Sequence, residues 1–288
     1  MPMLALDLGG TLLRVALYDN DAKLIFRSEH GTAPDNPNLL GAAMTYAMRI
    51  AKAERQDVKQ AIIGVPGWVD YASNAAVTLR NLPEWGRIEG SELASKLGLE
   101  VILANDADLA ALGEHRLGAG VGCDDLVYVT CSTGVGAGVI LGGQLVRGKR
   151  SITEIGHTVI DWQTGDTVEG IASGTAVAAA AGIPAKEVAA RAAAGDAEAQ
   201  AHFRRAADAL AVGVLNLAFL FGPERIVIGG GMAEAGDLLL GPVRERFAAE
   251  TSPLLGIGPD AIVHAQGGQD AGLLGALAYW QAEFGPKS

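Results

Sequence analysis

One pattern recurs in this 288-residue chain and limits what it can fold into: a short apolar run, a glycine-rich turn, and a second apolar run. At the start, Met3–Leu8 reads as a strand, Asp7-Leu8-Gly9-Gly10-Thr11 as a tight turn, and residues 12–19 as a returning strand. In mid-chain, residues 126–130, then Ser132-Thr133-Gly134-Val135-Gly136-Ala137-Gly138, then residues 139–141 repeat the arrangement before a Gly142-Gly143 turn. The recurrence implies an internal duplication. Glycines let the backbone approach a ligand closely and turn amide N–H groups toward it, as phosphate-binding loops require. A Gly-Gly turn is also an ordinary hairpin device. Two such loops facing each other would clamp a polyphosphate from both sides.

Helical and strand patterns alternate around these turns, which points to α/β architecture. Residues 36–55 carry apolar side chains at helical spacing, Gln60–Val65 reads as a buried strand ending at Pro66-Gly67, residues 68–83 as loops or short strands, and 88–97 as a helix. Residues 101–103 form another strand, and Leu109 and Leu112 mark a helix beginning near Asp106. Asn105 and Asp106 therefore stand where a strand ends and a helix starts, the place at which a parallel sheet opens onto a ligand crevice. Either side chain would also serve as an N-cap. Further on, 158–161 reads as a strand, the alanine-rich run after Glu169 as a helix, Ala197–Phe221 as the longest helix, stopped by Gly222-Pro223, and 225–228 as a strand. Gly229-Gly230-Gly231 makes a third glycine turn before a helix around Leu238, and 270–284 a last helix.

Composition narrows the function. A hydrophobic share of 49% with 39 glycines excludes a disordered or fibrous chain. A formal charge of −11, with no basic run longer than that at Lys149-Arg150, argues against nucleic-acid binding, so an anionic ligand has to be held locally. Cys123 and Cys131 read as reduced, buried thiols rather than a disulfide framework. With no basic-then-apolar leader and no apolar run near the roughly 18 residues of a membrane span, the expected setting is soluble and cytoplasmic.

These residues resemble the ROK family of sugar kinases within the actin/hexokinase-like superfamily. DLGGT at 7–11, GVPGWVD at 64–70, NLPEW at 81–85, NDADLAALGE at 105–114, STGVGAG at 132–138, EIGH at 154–157, EGIASG at 169–174 and IVIGGGM at 226–232 follow in the family's order. The resemblance implies two ribonuclease-H-like lobes around a cleft: a small lobe of residues 1–105 with 270–288 packing back on it, and a large lobe of 106–269. It implies Asp106 as the general base that takes the proton of the attacking sugar hydroxyl. Gly67, Asn81, Asn105, Glu154, His157 and Glu169 would bind the sugar. Asp7, Gly9, Gly10, Thr11, Thr133, Gly134, Gly136, Gly230 and Gly231 would bind ATP, with Asp7 holding Mg²⁺ through water.

The activity so implied is ATP-dependent phosphorylation of a hexose, foremost glucose to glucose 6-phosphate, by a homodimer. N-acetylmannosamine, N-acetylglucosamine, fructose or mannose as acceptor, and polyphosphate as donor, remain open, as does a sugar sensor without turnover. The family commonly follows its E-x-G-H with a cysteine-rich zinc segment, whereas TVIDWQTGDTVEG here has no cysteine. A zinc site needs about four ligands, usually Cys and His. No zinc is therefore expected. The family's repressors carry an N-terminal winged helix, and this chain begins at its first strand, so no DNA-binding role is expected.

Overall fold

In chain order the elements are β1 (Met3–Leu8), β2 (Leu12–Tyr18), β3 (Leu24–Gly31), α1 (Leu39–Ala53), β4 (Gln60–Val65), β5 (Trp68–Asp70), β6 (Ala75–Thr78), β7 (Ile88–Glu89), α2 (Gly90–Leu97), β8 (Glu100–Asn105) and α3 (Asp106–Leu117). They continue with β9 (Leu126–Cys131), β10 (Val135–Leu141), β11 (Gln144–Leu145), α4 (Val168–Ala172), α5 (Gly174–Ala181), α6 (Ala185–Ala193), α7 (Ala197–Phe221), β12 (Arg225–Gly229), α8 (Asp237–Glu250), β13 (Ile262–His264) and α9 (Ala271–Phe284). The computed structural model describes residues 1–79, 82–151, 153–250 and 256–284. Asn81 lies outside the described residues.

The chain divides into two compact units, the first made of Met1–Leu117, Arg147–Ile152 and Asp270–Ser288, the second of Gly118–Val146 and Thr153–Gln269. In the first, a five-stranded sheet runs β3-β2-β1-β4-β8, with β1, β4 and β8 parallel and β2 and β3 antiparallel. The central strands β1 and β4 are covered on both faces, which is why MLALDL and QAIIGV read as unbroken apolar runs with little alternation. On one face α1 buries Leu40, Met44, Ala47 and Ala51, a stripe at helical spacing. On the other, α9 lays Leu273, Ala276, Leu277 and Trp280 against Met3, Ala5 and Ile62. The Trp280 indole N–H donates to Gln60 Oε1 at 2.9 Å, so the polar end of a buried ring is satisfied inside the sheet.

α3 and α9 approach closely at two glycines. A Cβ on Gly113 would stand 2.7 Å from the Ala271 carbonyl oxygen, and one on Gly275 would stand 1.8 Å from that of Leu109. This contact ties α3 to the first unit, so the division falls after Leu117 and not before Asp106, where the sequence reading put it.

The second unit repeats the topology: β11-β10-β9-β12-β13, with β9, β12 and β13 parallel and β10 and β11 antiparallel. Its core gathers around α7, which is capped by Asp196, whose Oδ1 accepts from the amides of Glu198 and Ala199 at 3.0 Å, and closed by Gly222 at φ +56°. Phe203, Leu210, Val214 and Leu217 face inward from it.

Several local readings change. β10 begins at Val135, because the glycines at 136 and 138 pair with Thr130 and Tyr128 across the hairpin and continue the ladder instead of extending the loop. Residues 158–161 form no strand; a single bridge, Val159 with Thr167, stands there. Ile88 and Glu89 pair with β6, so α2 starts two residues later than the apolar spacing suggested. β3 was not expected: it is an edge strand of mixed exposure, entered through a turn in which Asp19 Oδ1 accepts from Asp21 N and Lys23 N, both at 2.9 Å. Among the described residues no helix is long and apolar enough to cross a membrane.

The helix contact sets the first expectation. Gly275→Ala places a methyl group where the Leu109 carbonyl stands, so the variant should lose about 1–3 kcal/mol of stability in denaturant unfolding, the usual cost of overpacking. An unchanged midpoint would show that the two helices part freely at this point.

Candidate active site

In the first unit, strand register sets the site. Asp7 on β1 lies opposite Gly64 on β4, Gly64 opposite Ala104 on β8, and Val65 opposite Asn105. The carboxyl ends of three parallel strands thus come level and carry Asp7, Asn105 and, one residue on, Asp106. Gly64 stands at the middle: a Cβ there would be 3.6 Å from both Asp7 Oδ1 and Asp106 Cα. Two acidic residues far apart in sequence are brought together across one glycine.

Asn105 takes the capping duty. Its Oδ1 accepts from Asp108 N at 3.0 Å, its Nδ2 donates to the Gly67 carbonyl at 3.0 Å, and the residue is 7% exposed. Asp106, the first residue of α3, accepts its neighbour Ala107's amide at 2.9 Å and is part-exposed. Gly67 adopts φ +97°, which glycine tolerates, and its carbonyl also accepts from Ser151 Oγ at 3.5 Å.

Asp7 pairs with Arg14, Nη1 to Oδ2 at 3.4 Å, while Arg14 Nε bonds Glu29 at 3.0 Å. Burial pushes the Asp7 carboxyl above the usual range, and the charge of Arg14 offsets part of that. A Cβ on Gly272 would lie 2.7 to 3.1 Å from this carboxylate, so the missing side chain lets Asp7 pack directly on the Gly272 backbone. The first glycine turn is closed by Gly9 N on the Leu12 carbonyl at 2.8 Å and by Thr32 Oγ1 on the Gly9 carbonyl at 2.9 Å; Gly10 is part-exposed and Thr11 exposed.

In the second unit the glycine loop, now only Ser132 to Gly134, is closed by Ser132 N on the Gly134 carbonyl at 2.8 Å and anchored by Thr175 Oγ1 on the Thr133 carbonyl at 2.7 Å. Glu169, at the start of α4, accepts from Val135 N at 2.9 Å, and a Cβ on Gly134 would stand 2.5 Å from its Oε2. Glu169 therefore braces the loop. Gly136 sits inside β10, away from the loop turn.

Glu154 and His157 flank a 3₁₀ turn, Oε2 to Nε2 at 3.8 Å, both side chains about a quarter exposed. Gly156 between them lets the turn press on β10: a Cβ would be 2.2 Å from the Val135 carbonyl and 3.3 Å from Glu169 Cβ. Glu154, His157 and Glu169 are thereby grouped. Two partly exposed carboxylates beside an imidazole can accept and donate hydrogen bonds to a polyol.

The third turn packs on the end of β9. Gly230, at φ +87°, would put a Cβ 2.4 Å from the Cys131 carbonyl, which accepts Met232 N at 2.9 Å; Gly231 is exposed. Both cysteines are buried and neither forms a disulfide. Cys131 Sγ donates to the Ala172 carbonyl at 3.3 Å. Among the described residues no group of three or more His, Cys, Asp or Glu is arranged to hold a metal ion.

Missed from sequence were Arg14 beside Asp7, and Tyr71, whose hydroxyl donates to buried Asp108 at 2.5 Å. Register would have revealed the first, since Arg14 is paired with Asp7 across the hairpin.

Two units of identical strand order, each with a glycine turn at its first hairpin, define an actin/hexokinase-like ATPase fold. A model described as the ROK family matches residues 3–283, and the chain belongs to that family. It is 31% identical to a glucokinase of Thermotoga maritima over 99% of both chains, and 34% identical to an N-acetylmannosamine kinase of Escherichia coli O157:H7 over 98% of this chain and 99% of that one. A solved ROK family glucokinase from Streptomyces griseus in complex with glucose and AMPPNP superposes with a TM-score of 0.81 at 30% identity, covering 97% of this chain and 99% of that one.

Cys131 supplies a check on this packing. Burial, and secondly the charge of Glu169, push its thiol up to about 12, so at pH 8 only about one molecule in ten thousand carries the thiolate. Thiol reagents should label Cys131 no faster than the protein unfolds, as peptide mass spectrometry would read. Rapid labelling of the native protein would mean that the β9 end is open.

Proposed function

We propose that this ATP-dependent sugar kinase of the ROK family transfers the γ-phosphoryl group of ATP to a hexose, foremost glucose, giving glucose 6-phosphate. The observation that carries the reading is the division of roles at the β8–α3 junction: Asn105 caps the helix, so the adjacent Asp106 carboxylate is not needed as the cap. Asp106 is the general base, accepting the proton of the sugar hydroxyl as its oxygen attacks phosphorus. Phosphoryl transfer asks chiefly for positioning and charge stabilisation, with a carboxylate to orient the nucleophile. Gly67, Asn81, Asn105, Glu154, His157 and Glu169 bind the sugar. Gly9, Gly10 and Thr11, Thr133 and Gly134 hold the phosphates, with Gly136 behind the second loop in β10 rather than in it, and Gly230 and Gly231 lie against the adenosine.

A divalent cation fits Asp7. Its carboxylate is a hard oxygen donor with 14% of its side chain still exposed, and burial disfavours its charge, which a cation would offset. Mg²⁺ held there, mainly through water, would neutralise phosphate oxygens during transfer. Zinc has no part in the proposal: the segment after His157 is closed by its own hydrogen bonds, Ile160 N to the Asp166 carbonyl at 2.8 Å and Asp161 Oδ1 accepting Gln163 N at 2.8 Å. A cytoplasmic homodimer completes the reading.

The second acceptor is N-acetylmannosamine, favoured by the 34% identity to a kinase of that name. A coupled assay across glucose, mannose, fructose, N-acetylglucosamine and N-acetylmannosamine, each with ATP and with polyphosphate, separates the readings. Glucose with ATP should give a kcat/KM at least about tenfold above every other pair, a margin of roughly 1.4 kcal/mol in transition-state binding. A higher value with N-acetylmannosamine would transfer the assignment, and no turnover with any pair would remove the enzyme reading.

A further inference from the structure

We propose that Tyr71 is a positioning residue for Asp106, acting through its hydroxyl; the proposal rests on Asp106 being the base. Tyr71 follows β5, and its hydroxyl meets the chain on both sides of Asp106. It donates to Asp108 Oδ2 at 2.5 Å, and its oxygen receives the Asn105 amide at 3.5 Å. Asp108 is 1% exposed, a carboxylate placed inside the protein in the first turn of α3. Its own amide in turn donates to Asn105 Oδ1. One phenol thus closes a ring of bonds around the residue that carries the chemistry.

The ring itself is held. The Arg147 guanidinium lies 4.8 Å from the Tyr71 ring centroid and 5.1 Å from that of Tyr279 on α9, so one cation is stacked on two aromatic faces. Burial, then the neighbouring Asp108 charge, raise the Tyr71 hydroxyl above its usual range, so it remains a donor at any pH at which the enzyme works. An acidic residue in the first turn is favourable for a helix in any case. That account needs neither the phenol nor its contact with Asn105. A bond to a buried carboxylate is strong and directional, and it fixes the orientation of the turn from which Asp106 projects.

The experiment compares Tyr71→Phe, Asp106→Asn and the double variant, measuring kcat, KM for hexose and ATP, and thermal unfolding. Phe keeps the ring and the stacked cation. Tyr71→Phe should lower kcat by about 10–100-fold, the scale on which a small displacement of a catalytic group acts, with both KM values within about twofold. In the Asp106→Asn background the same change should alter the residual rate by less than about twofold, because the group it positions is gone. Wild-type kcat in Tyr71→Phe, with Asp106→Asn inactive, overturns the positioning role and leaves the base reading intact. An equal loss in both backgrounds also overturns it. Near-normal turnover in Asp106→Asn removes the base itself. Should Tyr71→Phe not fold, Asp108→Asn keeps an acceptor oxygen without the charge; it should lower kcat by about three- to tenfold, and an unchanged kcat overturns the proposal.

Discussion

One side-chain to backbone hydrogen bond organises the chemistry of the first unit: the amide of Asp108 donating to Asn105 Oδ1. A strand that runs straight into a helix leaves the first-turn amides without partners, and some side chain has to accept from them. Asn105 does so at the last position of β8, and its amide group is fixed at the other end by Gly67. Because an uncharged side chain serves as the cap, the carboxylate that follows stands at the positive end of the helix with a separate role open to it.

Glycines set the rest by what they omit. Gly64 lets Asp7 and the backbone of Asp106 pack across one strand, Gly113 and Gly275 bring α3 and α9 to backbone contact, and Gly156 presses the turn bearing Glu154 and His157 onto β10. None of these three effects uses an unusual backbone angle; each uses the absence of a Cβ. At Gly67 and Gly230 the left-handed angle itself is required. Both units use the same strand order, yet the glycines do different work in each: a turn over Asp7 in the first, a loop braced by Glu169 in the second.

Much of this was legible in the residues. The strand–turn–strand repeat foretold two units of one topology, and the apolar runs at Met3–Leu8 and Gln60–Val65 marked the buried centre of the first sheet, because a strand covered on both faces has no polar alternation to lose. The junction at Asn105 and Asp106 was legible as a strand end meeting a helix start; which of the two is the cap was not, since both side chains can accept the bond. Edge strand β3 escaped because its exposure is mixed and its apolar signal weak. Gly136 looked like loop because glycine disfavours strands, yet pairing with Thr130 outweighs that preference. Tyr71 with Asp108 and Arg147 with Tyr279 are contacts between residues distant in sequence, which local pattern does not encode.

The central claim is that capping and catalysis are divided between two adjacent residues, and paired measurements of stability and turnover on Asn105→Ala and Asp106→Asn test it most directly. The account predicts that Asn105→Ala loses about 1 kcal/mol of unfolding free energy, the usual cost of a lost N-cap. Asp106→Asn should keep wild-type stability and still bind hexose by calorimetry, while kcat falls by roughly 10²–10⁴-fold, as expected for removal of a general base. Unchanged stability in Asn105→Ala would contradict the capping role, because an N-cap cannot be truncated to Ala without cost, and near-normal turnover in Asp106→Asn would contradict the catalytic one, because it would leave the reaction without its base.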